Sequence, residues 1–389
     1  MSEWKRVKLR DCIEEINEKT TKNNQYEVLS VTKDGIFSQE EFFKKQIASA
    51  NNIGYKIIRK NNLVFSTMNL WMGSLDVLTN YDIGIVSPAY KVFVFNENLM
   101  IPAYGNYFMK SYYMLEQYKN CSEQGASIVR RNLDLKALLN IEINIPPIEE
   151  QEKIVKILKN IESIIEKYIN ALEEKDKFIK AQFAKMFNIM ENSKFSKQKI
   201  ESLVDRNIIS VKKKYNEEDL INYIDISSIN KEKHTINSIT QYIVKDAPSR
   251  AQQCLKKNDI LISTVRPNLK NIAILKENIL NAVASSGFCI LRCNENCNHQ
   301  YLFNVINTDK FTNDMVLKTT GSNYPAIRDK DVLEYFVPVP PIELQKQFAK
   351  IVEIIDQQKL LLEQQKQDYE KLKKGLMQKL LTGKVRVKI

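Results

Sequence analysis

Cys289, Cys293, Cys297 and His299 form a Cys-x3-Cys-x3-Cys-x-His run, the densest grouping of metal-ligating side chains in the sequence. Zinc sites more often use Cys-x2-Cys pairs. Nothing in the first half of the chain matches the run, and Cys289 sits in an apolar, strand-like stretch. The pattern therefore predicts buried or incidental cysteines rather than a metal site. Phosphate chemistry lacks its loop, because Gly383-Lys384 is followed by Val385 and has no glycine at the required upstream spacing. Gly-x-Gly-x-x-Gly, His-Glu-x-x-His and Gly-x-Ser-x-Gly are all missing, and His234 and His299 are the only imidazoles. Glu173-Glu174-Lys175 could form half of a nuclease motif, but it falls within a helical pattern, where surface ion pairs are the expected use. No catalytic residue is predicted.

Groups able to read bases or hold phosphate recur in two sets. The first holds Arg59, Lys60, Ser66, Thr67, Asn69, Trp71, Gln124, Ser127, Arg130 and Arg131. The second holds Ser263, Thr264, Arg266, Asn268, Lys270, Thr319, Thr320, Ser322, Asn323, Tyr324 and Arg328. Asn and Gln bridge adenine edges and Arg forks onto guanine, whereas Ser, Thr and Lys more often position phosphate. These sets are the candidate DNA-binding residues.

Their placement in the fold follows from an internal repeat. Ile145-Pro146-Pro147-Ile148-Glu149-Glu150-Gln151 returns as Val339-Pro340-Pro341-Ile342-Glu343-Leu344-Gln345, 194 residues later. Upstream, Asn62-Leu63-Val64-Phe65-Ser66-Thr67 pairs with Asp259-Ile260-Leu261-Ile262-Ser263-Thr264, and the loop at Gly125 pairs with that at Gly321. Short apolar runs at 63–67, 90–95, 260–264 and 288–291 predict strands, and 104–118 and 300–310 predict helices. The fold class is α+β, with two similar mixed α/β domains at 1–145 and 194–339. Two long helices, at 146–193 and from 340 into a basic tail ending at 389, separate them.

Pro-Pro leads into each long helix without interrupting it. Ile154, Leu158, Ile161, Ile165, Tyr168 and Leu172 give a heptad seam in the first. Phe348, Ile351, Ile355, Leu362, Tyr369 and Leu372 give the second, with Gln358 and Gln365 as polar seam positions. Such helices are poorly buried alone, so the two are expected to pair. The charge of +11 is uneven: residues 371–389 carry +7 with no acid, while 1–145 carry only +2. Net charge on the first domain therefore does not by itself argue for nucleic acid. The tail could touch phosphate, neutralise a helix C-terminus or face a partner.

Six cysteines in 389 residues are not a disulfide scaffold, and no apolar run approaches a membrane span or a secretory signal. A cytoplasmic protein is expected. Taken together, the two Pro-Pro-Ile-Glu-x-Gln motifs, the tail sequence from Leu372 to Arg386 and the openings at Trp4–Asp11 and Ser196–Leu203 resemble the specificity subunit of type I restriction-modification systems. The resemblance covers essentially the whole chain.

That resemblance implies two inverted target recognition domains held apart by an antiparallel coiled coil, each reading half of a split double-stranded DNA target. It implies two modification (methyltransferase) subunits as partners, with restriction (translocase-nuclease) subunits able to join. S-adenosylmethionine, ATP and Mg2+ would be used by those partners, with no cofactor in this chain and no catalysis of its own. The differing glycine loops imply two different half-sites. A DNA-binding scaffold of another defence or methylation complex, or a protein-only coiled-coil adaptor, would share much of this pattern.

Overall fold

The computed structural model describes residues 3–40, 51–124, 131–192, 195–321 and 325–388, with the side chains of 124 and 187–192 outside the description. The chain divides into two compact units, Met1–Asn170 with Glu363–Ile389, and Ala171–Leu362.

The first unit is built on a four-stranded antiparallel sheet in the order Ile13–Ile16, Tyr90–Phe95, Leu63–Ser66, Leu75–Val77. Leu63, Val64 and Phe65 are all buried, so this strand is covered on both faces. On one face Phe65 stacks on Phe93 with 5.2 Å between ring centroids. Leu9, Tyr104, Tyr118, Ile154, Leu158, Leu380 and Leu381 belong to the same core. On the other face Val64 and Val92 pack with Leu29, Val31, Ile36 and Ile58. Strand Lys5–Lys8 pairs with Glu142–Ile145 immediately before Pro146.

The second unit repeats the sheet as Val204–Asp205, Phe288–Cys293, Ile260–Ser263, Ile272–Ile274. Strand Lys197–Lys199 pairs with Phe336–Pro338 in the place of the first unit's terminal pair. This unit also carries a further four-stranded sheet, matched among the described residues of the first unit by the antiparallel pair Lys56–Arg59 with Ile83–Val86. The order of the four-stranded sheet is Thr240–Ile243, Leu220–Ile224, Ala282–Ser285, Ala251–Cys254, and its middle pair is parallel.

Two predicted helices are each broken in two. The 104–118 pattern becomes Pro102–Met109 and Tyr112–Asn120, and the 300–310 pattern becomes His299–Ile306 and Asp309–Leu317. The breaks fall at N-caps: Ser111 Oγ accepts from the Met114 amide and Thr308 Oγ1 from the Phe311 amide.

The long helices run Ile148–Asn192 and Ile342–Leu381. Their first turns explain the repeated motif. Gln151 is fully buried; its Nε2 donates to Pro146 O and Leu99 O, and its Oε1 accepts from the Ile101 amide. Gln345 does the same in the second unit with Pro340 O, Asn296 O and the Asn298 amide. Each glutamine ties a long helix to the loop that starts another helix, and a buried amide left unmatched there would be costly.

Pairing of the long helices is antiparallel within each unit. In the first, Tyr168 meets Tyr369 at 5.7 Å between centroids, and Glu162 takes a 2.7 Å ion pair from Lys373. In the second, Asp176 pairs with Lys359, and Phe183 meets Phe348 at 5.6 Å. As numbers rise on one helix they fall on the other. The first helix seam is inward, with Ile154, Leu158, Ile161 and Leu172 buried and Ile165 and Tyr168 half-buried.

The second helix requires a correction. Phe348, Ile355, Leu362 and Tyr369 turn inward, but Ile351 is 36% and Leu372 48% exposed. Gln358 and Gln365 are exposed too. The alternate seam positions are Val352, Lys359, Lys366 and Lys373. Both choices satisfy a heptad around the shared positions. Three lysines win because their stems line the groove while their ammonium groups reach carboxylates: Asp176 for Lys359, Glu363 and Glu370 for Lys366, Glu162 for Lys373.

Candidate nucleic-acid interface

In the first unit, strand Leu63–Ser66 runs into a tight turn. Ser66 itself is buried and bonds through its amide to Ser74 O. The turn then closes as the 3-10 segment Leu70–Met72, with Leu70 fully buried as its anchor. Gly73 ends it at φ +86, where an added Cβ would lie 3.2 Å from Leu115. With Leu70 held inward, Met68 and Met72 are exposed and Thr67, Asn69 and Trp71 partly so. The hairpin Ser122–Gln124 with Arg131–Leu133 comes alongside, because the Arg131 amide donates to Met68 O at 3.2 Å. The Arg131 guanidinium then lies over the Trp71 ring, 4.3 Å from its centroid. The structure thus brings Thr67, Asn69, Trp71 and Arg131 together from segments 60 residues apart. The Gln124 side chain, Ser127 and Arg130 lie outside the described residues, as does Gly125.

Arg59 and Lys60 do not join this group. They sit at the opposite end of the Leu63–Ser66 strand. Arg59 is forked onto Glu18, holding that carboxyl below its usual range, and Lys60 is 3.4 Å from Asp82.

The second unit builds the same arrangement from different residues. Ser263 is buried and its Oγ donates to Val265 O, while Thr264 donates to Gly287 O through both its amide and its hydroxyl. The 3-10 turn Pro267–Leu269 is flanked by Arg266 at φ +51 and Lys270 at φ +50. Two left-handed residues that are not glycine mark a strained turn fixed by its surroundings. The fixing bonds are visible: the Arg266 amide donates to Pro325 O, the Ile327 amide to Thr264 O, and Thr320 and Ala326 exchange both backbone bonds. Arg266, Asn268 and Thr320 are exposed at this place. Lys270 is tied to Asp309 at 2.6 Å, lowering that carboxyl's pKa, and the Thr319 hydroxyl donates to Val316 O. Arg328 caps the Asp329–Leu333 helix and is forked onto Asp331. Ser322, Asn323 and Tyr324 lie outside the described residues.

Arg250 is a residue that the sequence did not bring forward. Its carbonyl accepts from the Ser286 amide at 2.7 Å, beside the Gly287 carbonyl that holds Thr264. It is exposed and makes no ion pair among the described residues. Only the fold brings it to the turn, so no local pattern could have found it.

The cysteine run takes no part in this surface. Cys289 is buried in strand Phe288–Cys293, and burial raises its thiol pKa. No cluster of three or more His, Cys, Asp or Glu able to hold a metal occurs among the described residues. Among them, no helix is long and apolar enough to cross a membrane.

Comparison with known proteins agrees with this duplicated architecture. A family model described as the type I restriction modification DNA specificity domain matches residues 1–174 and again 184–371. The type I restriction enzyme MjaVIII specificity subunit of Methanocaldococcus jannaschii is 28% identical, over 72% of this chain and 70% of its own length. The putative MjaX specificity subunit of the same organism is 26% identical, over 75% and 70%. A solved chain from work on assembly and conformational transition of the type I R-M system superposes with a TM-score of 0.60, at 15% identity and 99% coverage of both chains. The type I S subunit from M. genitalium gives a TM-score of 0.51 at 15% identity, covering 97% of this chain and 96% of that one. Matched twice by the same domain and repeating one sheet order in its two units, the chain belongs to the type I restriction modification DNA specificity family, as a specificity subunit whose role is DNA target recognition.

Proposed function

We propose that this specificity subunit reads a bipartite double-stranded target, one half with each unit's turn cluster, and delivers it to catalytic partners. The observation that carries the reading is the recurrence, in both units, of a tight turn after the central strand bonded to the loop before a short helix. Side chains of different chemistry stand on corresponding turns, which suits two different half-sites. Two modification subunits supply S-adenosylmethionine and adenine methylation. Restriction subunits join them with ATP, Mg2+ and cleavage. The complex works in the cytoplasm, where its DNA lies.

Docking of a modification subunit uses the outer flank of the second long helix. Ile351, Ile354 and Leu361 are exposed there, at 36%, 48% and 57%, on one side of the helix. Such a stripe suits an apolar partner helix. The test is adenine-methylation mapping in a methylation-free host that expresses the chain with its cognate modification subunit, against the modification subunit alone. A split motif that depends on this chain is expected. An active, soluble complex that yields no new motif would overturn the reading in favour of a protein-only adaptor.

A further inference from the structure

The Trp71–Arg131 pair sets the first unit apart chemically. The Arg131 guanidinium is stacked 4.3 Å from the indole centroid, and its Nε is buried without a hydrogen-bond partner. Arg131 enters no ion pair among the described residues, whereas the forks of Arg59 and Arg328 are occupied by Glu18 and Asp331. Stacking covers one face of the guanidinium and fixes its plane, so the in-plane N–H donors remain for an acceptor pair. The terminal nitrogens of this half-buried residue carry no hydrogen bond among the described residues, so they are the donors open to an acceptor from outside the chain.

Two acceptor pairs on DNA fit a fixed fork: phosphate oxygens, and O6 with N7 of guanine. The surroundings favour the base. Met68 and Met72 stand exposed on the same turn, at 37% and 42%, and apolar neighbours suit base edges better than a phosphate. The second unit has Asn268 at the place of Trp71 and contains no tryptophan at all, so this device belongs to one half-site alone.

We propose that Arg131 reads one guanine of the half-site taken by the first unit, with Trp71 as its positioning residue. The inference rests on the functional reading above and names its chemistry.

The test is selection of bound duplexes from a randomised library by the full chain in complex with its modification subunit. Wild type, Arg131→Lys, Trp71→Leu and Trp71→Phe are compared, with circular dichroism melts confirming that each variant folds. Arg131→Lys keeps the charge and loses the fork. It is expected to relax one G·C position by about tenfold to a hundredfold, leaving the other half-site unchanged. Trp71→Leu is expected to relax the same position, and Trp71→Phe to relax it less. Should Arg131→Lys fail to fold, the two Trp71 variants carry the test. Uniform weakening with every base preference retained would assign Arg131 to phosphate and overturn the proposal. So would relaxation at an A·T position. A wild-type complex that selects no motif would refute the functional reading itself, and this inference with it.

Discussion

Glu150 offers the sharpest test of how the first unit is held together. Its carboxylate is fully buried at the start of the first long helix. Arg386 donates to it through Nε at 2.8 Å and a terminal nitrogen at 2.7 Å, the Val387 amide at 3.1 Å and Trp4 Nε1 at 3.2 Å. Replacing Glu150 with Gln keeps the shape, removes the charge and turns an amide NH2 toward a wall of donors. Breaking a buried pair costs about 3–5 kcal/mol. Arg386 is 24% exposed and regains water, so a loss of about 2 kcal/mol is expected here. For a unit of this size that is a fall in Tm of roughly 4–8 °C.

The assay is thermal melting followed by tryptophan fluorescence. Trp4 and Trp71 are the only tryptophans, and both lie in the first unit, so the signal reports that unit alone. The Arg386 fork is the main cause that lowers the Glu150 pKa below 4.5. Stability from a depressed carboxyl is fully present above its unfolded value and is lost as pH falls toward the folded one. Wild type should therefore lose its advantage over Glu150→Gln progressively below about pH 4.5. Arg386→Leu, which strands the carboxylate, should cost more than Glu150→Leu with Arg386→Leu together. A Glu150→Gln Tm within about 1 °C of wild type at pH 7 would show that the Glu150 cluster does not hold the unit together.

Three further outcomes follow from the fold. Ser111→Ala removes the N-cap that splits the two helices of the first unit and should cost about 1 kcal/mol in urea unfolding, read as a lower midpoint at unchanged slope. Gln345→Glu replaces a donor to Pro340 O and Asn296 O with an acceptor, and should destabilise the second unit by about 2 kcal/mol or more in far-ultraviolet dichroism melts. Ile354→Lys with Leu361→Lys should leave the melt within about 0.5 kcal/mol of wild type yet abolish co-purification of the modification subunit; retained co-purification would reject the proposed docking flank.

The architecture was legible where sequence periodicity meets a single geometric solution. The two Pro-Pro-Ile-Glu-x-Gln motifs announced the long helices, and 63–67 and 260–264 announced the central strands. Capping was visible in principle at Ser111 and Thr308, but unbroken apolar spacing outweighed it. The register of the second helix was not legible, because Ile351 and Val352 both lie between the shared positions Phe348 and Ile355 and the facing carboxylates decide which series turns inward. At the candidate interface, Trp71 and Arg131 could each be named from sequence as polar or aromatic loop residues. That they touch, and that Arg59 and Lys60 lie at the far end of the strand, depends on strand direction and hairpin docking. Arg250 needed the contact with Ser286.

The first unit is assembled from two separated stretches, Met1–Asn170 and Glu363–Ile389, with Leu380 and Leu381 in its core and Arg386 on Glu150. During synthesis its first stretch is made before the second unit and its last stretch after it. Residues Ala171–Leu362, the whole second unit, must leave the ribosome in between. At roughly 5–20 residues per second, that leaves Ile154, Leu158 and the bare Glu150 carboxylate waiting for about 10–40 s. A chain that stops early would carry a finished second unit beside an open first one. Such a product exposes apolar core to chaperones and proteases, so the first unit closes only once Glu363–Ile389 has been made.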